Sequence, residues 1–187
     1  MISSSKLSTP FEAYTAESIT KKNVNREIFV QQFGLAKKPK SLLVGIYIDN
    51  LDKAQMDIVN ILSEAATHIP YIDIVVVGQK APIVLSEENT AQVFSGLDVM
   101  LFLHNDTSKI GKIVGEMHRF GVVSVANVLL KEDGMLTEYN PYKERGETFF
   151  FQEENEWNIL ANLIRVHEVF KFPYDWNTIR RNAMQNS

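Results

Sequence analysis

The residues best placed to do chemistry run from His104 to Lys112, where the chain reads HNDTSKIGK directly after the apolar stretch Leu97 to Leu103. A histidine at a strand end can exchange a proton or a hydrogen bond near neutral pH. Lys109 and Lys112 flank Gly111 at a helix start, where backbone N–H groups and lysines together attract an anion. Each has a plainer reading beside it: His104 as a loop histidine with a local hydrogen bond, the two lysines as a solvated face. His118 and His167 read as helix surface or packing residues, and the four histidines have no metal-ligand spacing. The chain has no cysteine, which excludes disulfides, zinc–cysteine sites and thiol catalysis and fits a cytoplasmic setting.

These residues need elements to position them. Leu97 to Leu103 reads as a buried strand, and Asn105-Asp106-Thr107-Ser108 as a polar break carrying helix-cap residues. Ile110, Ile113, Val114, Met117 and Phe120 recur at spacings of three and four, the period of a helix with one buried face. Gly121 stops that helix, and Val122 to Val128 is a second strand. Strand, helix, strand makes a right-handed βαβ unit in a parallel sheet, with ligands expected beyond the carboxyl ends of the strands. The loop from His104 to Gly111 is therefore the first place to look for a site.

The rest of the chain extends this unit. Residues 1–16 read as an extended arm, 17–40 as a helix and a basic linker (KKPK, Lys37 to Lys40), and 41–187 as one α/β core. Leu42 to Ile48 is a strand apolar on both sides, Asp52 a candidate cap, and Ala54, Ile58, Ile61, Leu62 and Ala65 a buried helical stripe. Ile72 to Val77 is the next strand, and Ser86 a candidate N-cap for a helix through Phe94. Residues 129–147 break the alternation, with a turn at Asn140-Pro141; Thr148 to Phe151 is a short buried strand. A long helix carries Trp157, Leu160, Leu163, Ile164, Val166 and Phe170; Pro173 breaks it, and a last helix turns Trp176, Ile179 and Met184 inward. Phe149 to Phe151 and both tryptophans read as core rather than as a sugar platform. The sum is about five parallel strands with interleaved helices, a Rossmann-like doubly wound sheet. With 187 residues, 45% hydrophobic and a net charge of −4, the chain makes a core and disfavours a nucleic-acid surface; no apolar run reaches the length of a membrane span.

The order of short motifs adds a resemblance. Tyr139-Asn140-Pro141, Gly146, Phe149, Phe151, Trp176, Arg181 and Asn182-Ala183-Met184 stand in an order similar to the end of the bacterial glycogen synthase and plant starch synthase family. Arg119-Phe120-Gly121, Lys22 to Arg26 and Phe33-Gly34-Leu35 match further motifs, so the resemblance spans about residues 14–185. It implies the C-terminal, nucleotide-sugar-binding domain of a GT-B glycosyltransferase, a fold in which glucose passes from ADP-glucose or UDP-glucose to an α-1,4-glucan with retention. By the same resemblance the donor contacts fall on Lys53, Ser108, Gly111 and Lys112. The family's arginine falls on Asp49 or Asn50, its sugar-holding glutamate on Ser108, and its threonine-glycine-glycine turn on Leu129-Leu130-Lys131. A carboxylate where a diphosphate should sit is repulsive, serine cannot offset positive charge developing on the sugar, and side chains block the approach that glycine permits. The expectation is a degenerate domain with no catalytic residues, no cofactor and no metal, whose partner is another protein or an α-glucan. The alternatives are the donor half of a split transferase, completed by a separate GT-B N-terminal domain protein, and a piece of a longer enzyme. Nucleotide-sugar is the candidate ligand; the oligomeric state stays open.

Overall fold

The structure, a computed structural model, describes residues 12–35, 40–104, 107–131 and 134–186. Most of the expected arm, and Lys37 to Pro39 of the linker, lie outside the described residues. The described chain forms six parallel strands, β1 (Leu42–Tyr47), β2 (Ile72–Gly78), β3 (Ile83–Val84), β4 (Val99–Phe102), β5 (Val123–Asn127) and β6 (Thr148–Phe151). Their spatial order is β3-β2-β1-β4-β5-β6, the doubly wound arrangement. Five of these strands are those the sequence predicts; β3, only two residues long, is too short to register as an apolar run.

The alternation along β1 explains the two-faced core. Leu43 and Tyr47 face a layer built from α1 (Lys22–Gln32), α3 (Thr90–Gly96) and α4 (Thr107–His118). Leu42, Val44 and Ile46 face α2 (Lys53–His68), α5 (Glu156–Phe170) and α6 (Pro173–Gln185). Successive side chains of a strand point to opposite sides, so a strand covered on both sides must be apolar throughout. Gly96 marks a tight seam between α1 and α3, because a Cβ there would overlap the Phe29 ring of α1.

Charged groups lock the amino end of the sheet. Asp98, 2% exposed, accepts from Arg26 Nε at 2.9 Å and from the Leu43 amide at 3.0 Å. Lys22, 1% exposed, donates to Phe94 O at 2.7 Å and Phe120 O at 2.9 Å, at the carboxyl ends of α3 and α4. Helix ends leave unsatisfied carbonyls and partial negative charge, so a buried ammonium has a place there. The Tyr14 hydroxyl donates to the same Phe120 O at 2.8 Å, and Arg181 Nε reaches Ala16 O at 3.2 Å. The segment before α1 is thereby strapped to the end of α4 and to α6.

Three sequence expectations change in detail. Asn89, not Ser86, precedes α3; Ser86 O accepts from the amide and hydroxyl of Thr90 instead. On α2, Ile61 is 45% exposed and Ala54, at the opening turn, is exposed as well, so the buried stripe is Ile58, Val59, Leu62 and Ala66. Trp157 is 74% exposed, while Trp176 is buried as expected. The inward face of α5 is Ile159, Asn162, Leu163, Val166 and His167, and Asn162 Nδ2 donates to Phe150 O at 2.8 Å. Two polar residues on the buried face disguise it, and the apolar period points one position aside.

Two outcomes follow for stability. Gly96→Ala overpacks the α1–α3 seam and costs about 2 kcal/mol in chemical denaturation. His118, 2% exposed with Nε2 2.9 Å from Ser124 Oγ, is pushed by burial down to about 4. The folded ring stays neutral while the unfolded ring takes a proton near 6.5, so its stabilisation is complete above that value and is lost as pH falls toward 4. The wild-type Tm therefore falls more steeply than that of His118→Gln over this window.

Candidate functional site

The strand order reverses between β1 and β4, whose connections leave toward opposite sides, and this switch point is where an open α/β sheet presents its crevice. The crevice lies beyond Tyr47 and Phe102, at the starts of α2 and α4. The expected loop is therefore in the expected place. Asn105 and Asp106 lie outside the described residues, as does the side chain of Lys109.

The crevice is bridged by the protein's own groups. His104, 4% exposed, has Nε2 2.5 Å from Asp49 O, which joins the end of β4 to the end of β1. A carbonyl only accepts, so Nε2 carries the proton and Nδ1 is left as a buried acceptor with no partner among the described residues. The local-hydrogen-bond reading of His104 is thus the one the structure bears out. Burial, and then the Asp49 carboxylate to which it is hydrogen-bonded, raise the Tyr47 phenol above its ordinary range. Gln55 on α2 donates from Nε2 to Leu103 O at 2.8 Å and to Glu154 Oε1 at 3.0 Å, tying the ends of β1 and β4 to the loop after β6.

The α2 N-terminus is also occupied. Asp52 Oδ1 accepts from the Gln55 amide at 2.9 Å, and Gln55 Oε1 accepts from the Asp52 amide at 3.2 Å, a reciprocal capping box. A carboxylate already rests on the N–H groups that an anion would use, with Asp49 nearby along the chain.

The four candidate binding residues lie in the opening turns of α2 and α4. Lys53 is the exposed first residue of α2. Ser108 is exposed near the start of α4. Lys112 is exposed, with Nζ 3.9 Å from Glu116 Oε1 one turn along the same helix. Gly111 faces a side chain: a Cβ placed there would meet Met135 Cε at 3.1 Å. The bare backbone that would let a ligand approach α4 instead receives the thioether of Met135. Sequence reasoning missed Met135, since a methionine in an irregular stretch gives no signal of where it folds back.

Leu129-Leu130-Lys131 lies in a 3-10 turn, Val128–Lys131, with Leu130 buried and Asn127 Oδ1 accepting from the Leu129 amide at 3.0 Å. Lys131 Nζ is 3.6 Å from Glu138 Oε2, and Arg165 Nη2 is 3.0 Å from Glu138 Oε1. Lys131 thus belongs to a surface network. Among the described residues no group of three histidine, aspartate or glutamate side chains could hold a metal ion, and no helix is long and apolar enough to cross a membrane.

The comparisons with known proteins agree with the fold. The chain is 23% identical to a glycogen synthase of Gloeobacter violaceus, across 92% of its own length and 42% of that protein. The catalytic domain of starch synthase IV from Arabidopsis thaliana, bound to ADP and acarbose, superposes with a TM-score of 0.71 at 12% identity, over 96% of this chain and 42% of that one. The chain is thus similar in sequence to a glycogen synthase and shares its α/β fold with part of a starch synthase catalytic domain. It spans about two fifths of the length of the relatives it matches. No family model matches it.

Asp52→Ala opens the α2 cap. It costs about 1 kcal/mol in urea denaturation and leaves the far-UV spectrum unchanged.

Proposed function

We propose that this glycogen/starch synthase-like domain is a degenerate donor domain: it keeps the fold of a nucleotide-sugar-binding domain and has no synthase activity by itself. One observation carries the reading. The surface that would meet a donor is filled from within, by Met135 over Gly111 and by the His104–Asp49 bridge across the switch point. Electrostatics point the same way, because Asp49 and the capping carboxylate of Asp52 repel a diphosphate. Lys53 and Ser108 are exposed, and Lys112 lies 3.9 Å from Glu116, whose carboxylate competes with an anion for it. The reading carries a cytoplasmic setting, with no cofactor, no nucleic acid and no membrane involved.

A second reading is favoured by one feature. Leu129 at 53% exposure and Met135 at 39% stand on the carboxyl-end face, where a separate GT-B N-terminal domain would pack if this were half of a split ADP-glucose or UDP-glucose α-glucan transferase. Calorimetric titration with ADP, UDP and ADP-glucose separates the two. The degenerate reading expects no saturable heat with any of the three. Saturable nucleotide binding that weakens at least tenfold in Lys112→Ala or Gly111→Val sinks it and establishes the split-transferase reading in its place.

A further inference from the structure

We propose that Met135 is an oxidation-sensitive plug in the crevice: hydrogen peroxide converts its thioether to the sulfoxide, which leaves Gly111 and uncovers the opening turns of α4. The proposal rests on the degenerate reading above for what the plug keeps out, and on the thioether itself for its chemistry. A Cβ placed on Gly111 would stand 3.1 Å from Met135 Cε and 4.0 Å from Sδ, so the end of the side chain lies directly on the helix backbone. That contact is apolar. Gly111 is within α4, where its N–H is committed to the helix ladder, so it has no donor to offer a new oxygen on the sulfur.

The other methionines are shielded. Met100 and Met117 are fully buried, and Met56 and Met184 are half-buried, whereas Met135 is 39% exposed. Among the described residues it is therefore the thioether that a dissolved oxidant meets first. The sulfur lone pair attacks one peroxide oxygen, the O–O bond breaks and an S–O bond forms. The sulfur gives up two electrons, and the released hydroxide takes the proton left on the transferred oxygen and departs as water. The product is polar where the reactant was apolar, and the change is reversible, because sulfoxide reductases return it to the thioether. Cysteine, the other redox-sensitive side chain, is absent from this chain.

The surroundings let the side chain leave without unfolding the domain. Leu136 is buried in the core, and the Thr137 amide donates to Glu147 Oε1 at 2.8 Å, so the backbone just after Met135 is anchored. Gly134, on the other side, has φ +70°, and a Cβ there would meet nothing within 4 Å. A sulfoxide drawn toward water therefore turns about a free neighbour while the anchored one holds. What it uncovers is the Gly111 face of α4 beside the switch point, the surface that the plug denies to any ligand. The crevice is closed in the reduced protein and open in the oxidised one.

The test treats the whole purified chain with hydrogen peroxide and follows it by peptide mass and by the amide resonances of α4. The expected result is a sulfoxide at Met135 that forms at least about tenfold faster than at Met100 or Met117, together with a shifted Gly111 resonance and faster amide exchange in the opening turns of α4. A methionine sulfoxide reductase restores the starting spectrum. Met135→Gln, polar without any oxidant, shows the shifted spectrum from the start, and Met135→Leu, which keeps an apolar plug, does not respond to peroxide. An unmoved Gly111 resonance in protein carrying the Met135 sulfoxide overturns the proposal, as does earlier oxidation of a buried methionine or a full response in a folded Met135→Leu. Titration of the reduced chain with ADP tests the degenerate reading separately, because saturable binding there sinks that reading whatever peroxide does to Met135.

Discussion

Asp98 is one buried carboxylate among three cations. It binds Arg26 and the Leu43 amide directly, and its charge is felt by Lys22 and Arg180, both almost fully buried. An unpaired charge at this depth costs several kcal/mol, so the three cations are tied to the one carboxylate that balances them. That arrangement fixes β1 beside β4 and seats α1 and the strap before it. It also places Lys22 at the carboxyl ends of α3 and α4, where backbone carbonyls carry part of the balancing charge. Burial pushes the Lys22 amine well below its usual range, with the Asp98 charge opposing the shift. The pair β1–β4 is the seam from which the switch point opens, so a lock at the amino end of the sheet determines where the crevice lies at the other.

The two ends of the sheet are built on different terms. The amino end is held by buried charge. The carboxyl end is closed by short-range bonds of modest strength: a histidine on a carbonyl, a glutamine bridging two loops, and a methionine over a glycine. Both ends are compatible with the same glycogen/starch synthase-like backbone, which is why a TM-score of 0.71 coexists with 12% identity. The fold follows from strand burial and helix faces, and the crevice contents can change without disturbing either.

What was legible in the sequence follows the same division. Strands buried on both faces and helices with one apolar face announce themselves, so β1, β2, β4, β5, β6 and α4 were readable to within a few residues. Tertiary placement was not. Nothing local says that Met135 folds back onto Gly111, or that Gln55 uses its amide three ways. Trp157 was misplaced for a definable reason: Asn162 and His167 occupy the true inner face of α5, and an apolar count skips both. For His118 the sequence leaves surface and packing readings side by side, because the partner that decides for packing, Ser124, is on the next strand.

The pairing of β1 has a consequence for how this chain must be made. Its six residues are the centre of the sheet, flanked by β2 on one side and β4 on the other. The contact between Leu43 and Asp98 closes a separation of 55 residues. During synthesis β1 can pair with β2 early, but its second edge stays open until β4 has left the ribosome. Throughout that interval an apolar strand with free N–H and C=O groups is offered to any neighbouring chain. Non-local parallel pairing of this kind is slow to form, so this domain is expected to be most vulnerable as a nascent chain rather than as a finished one.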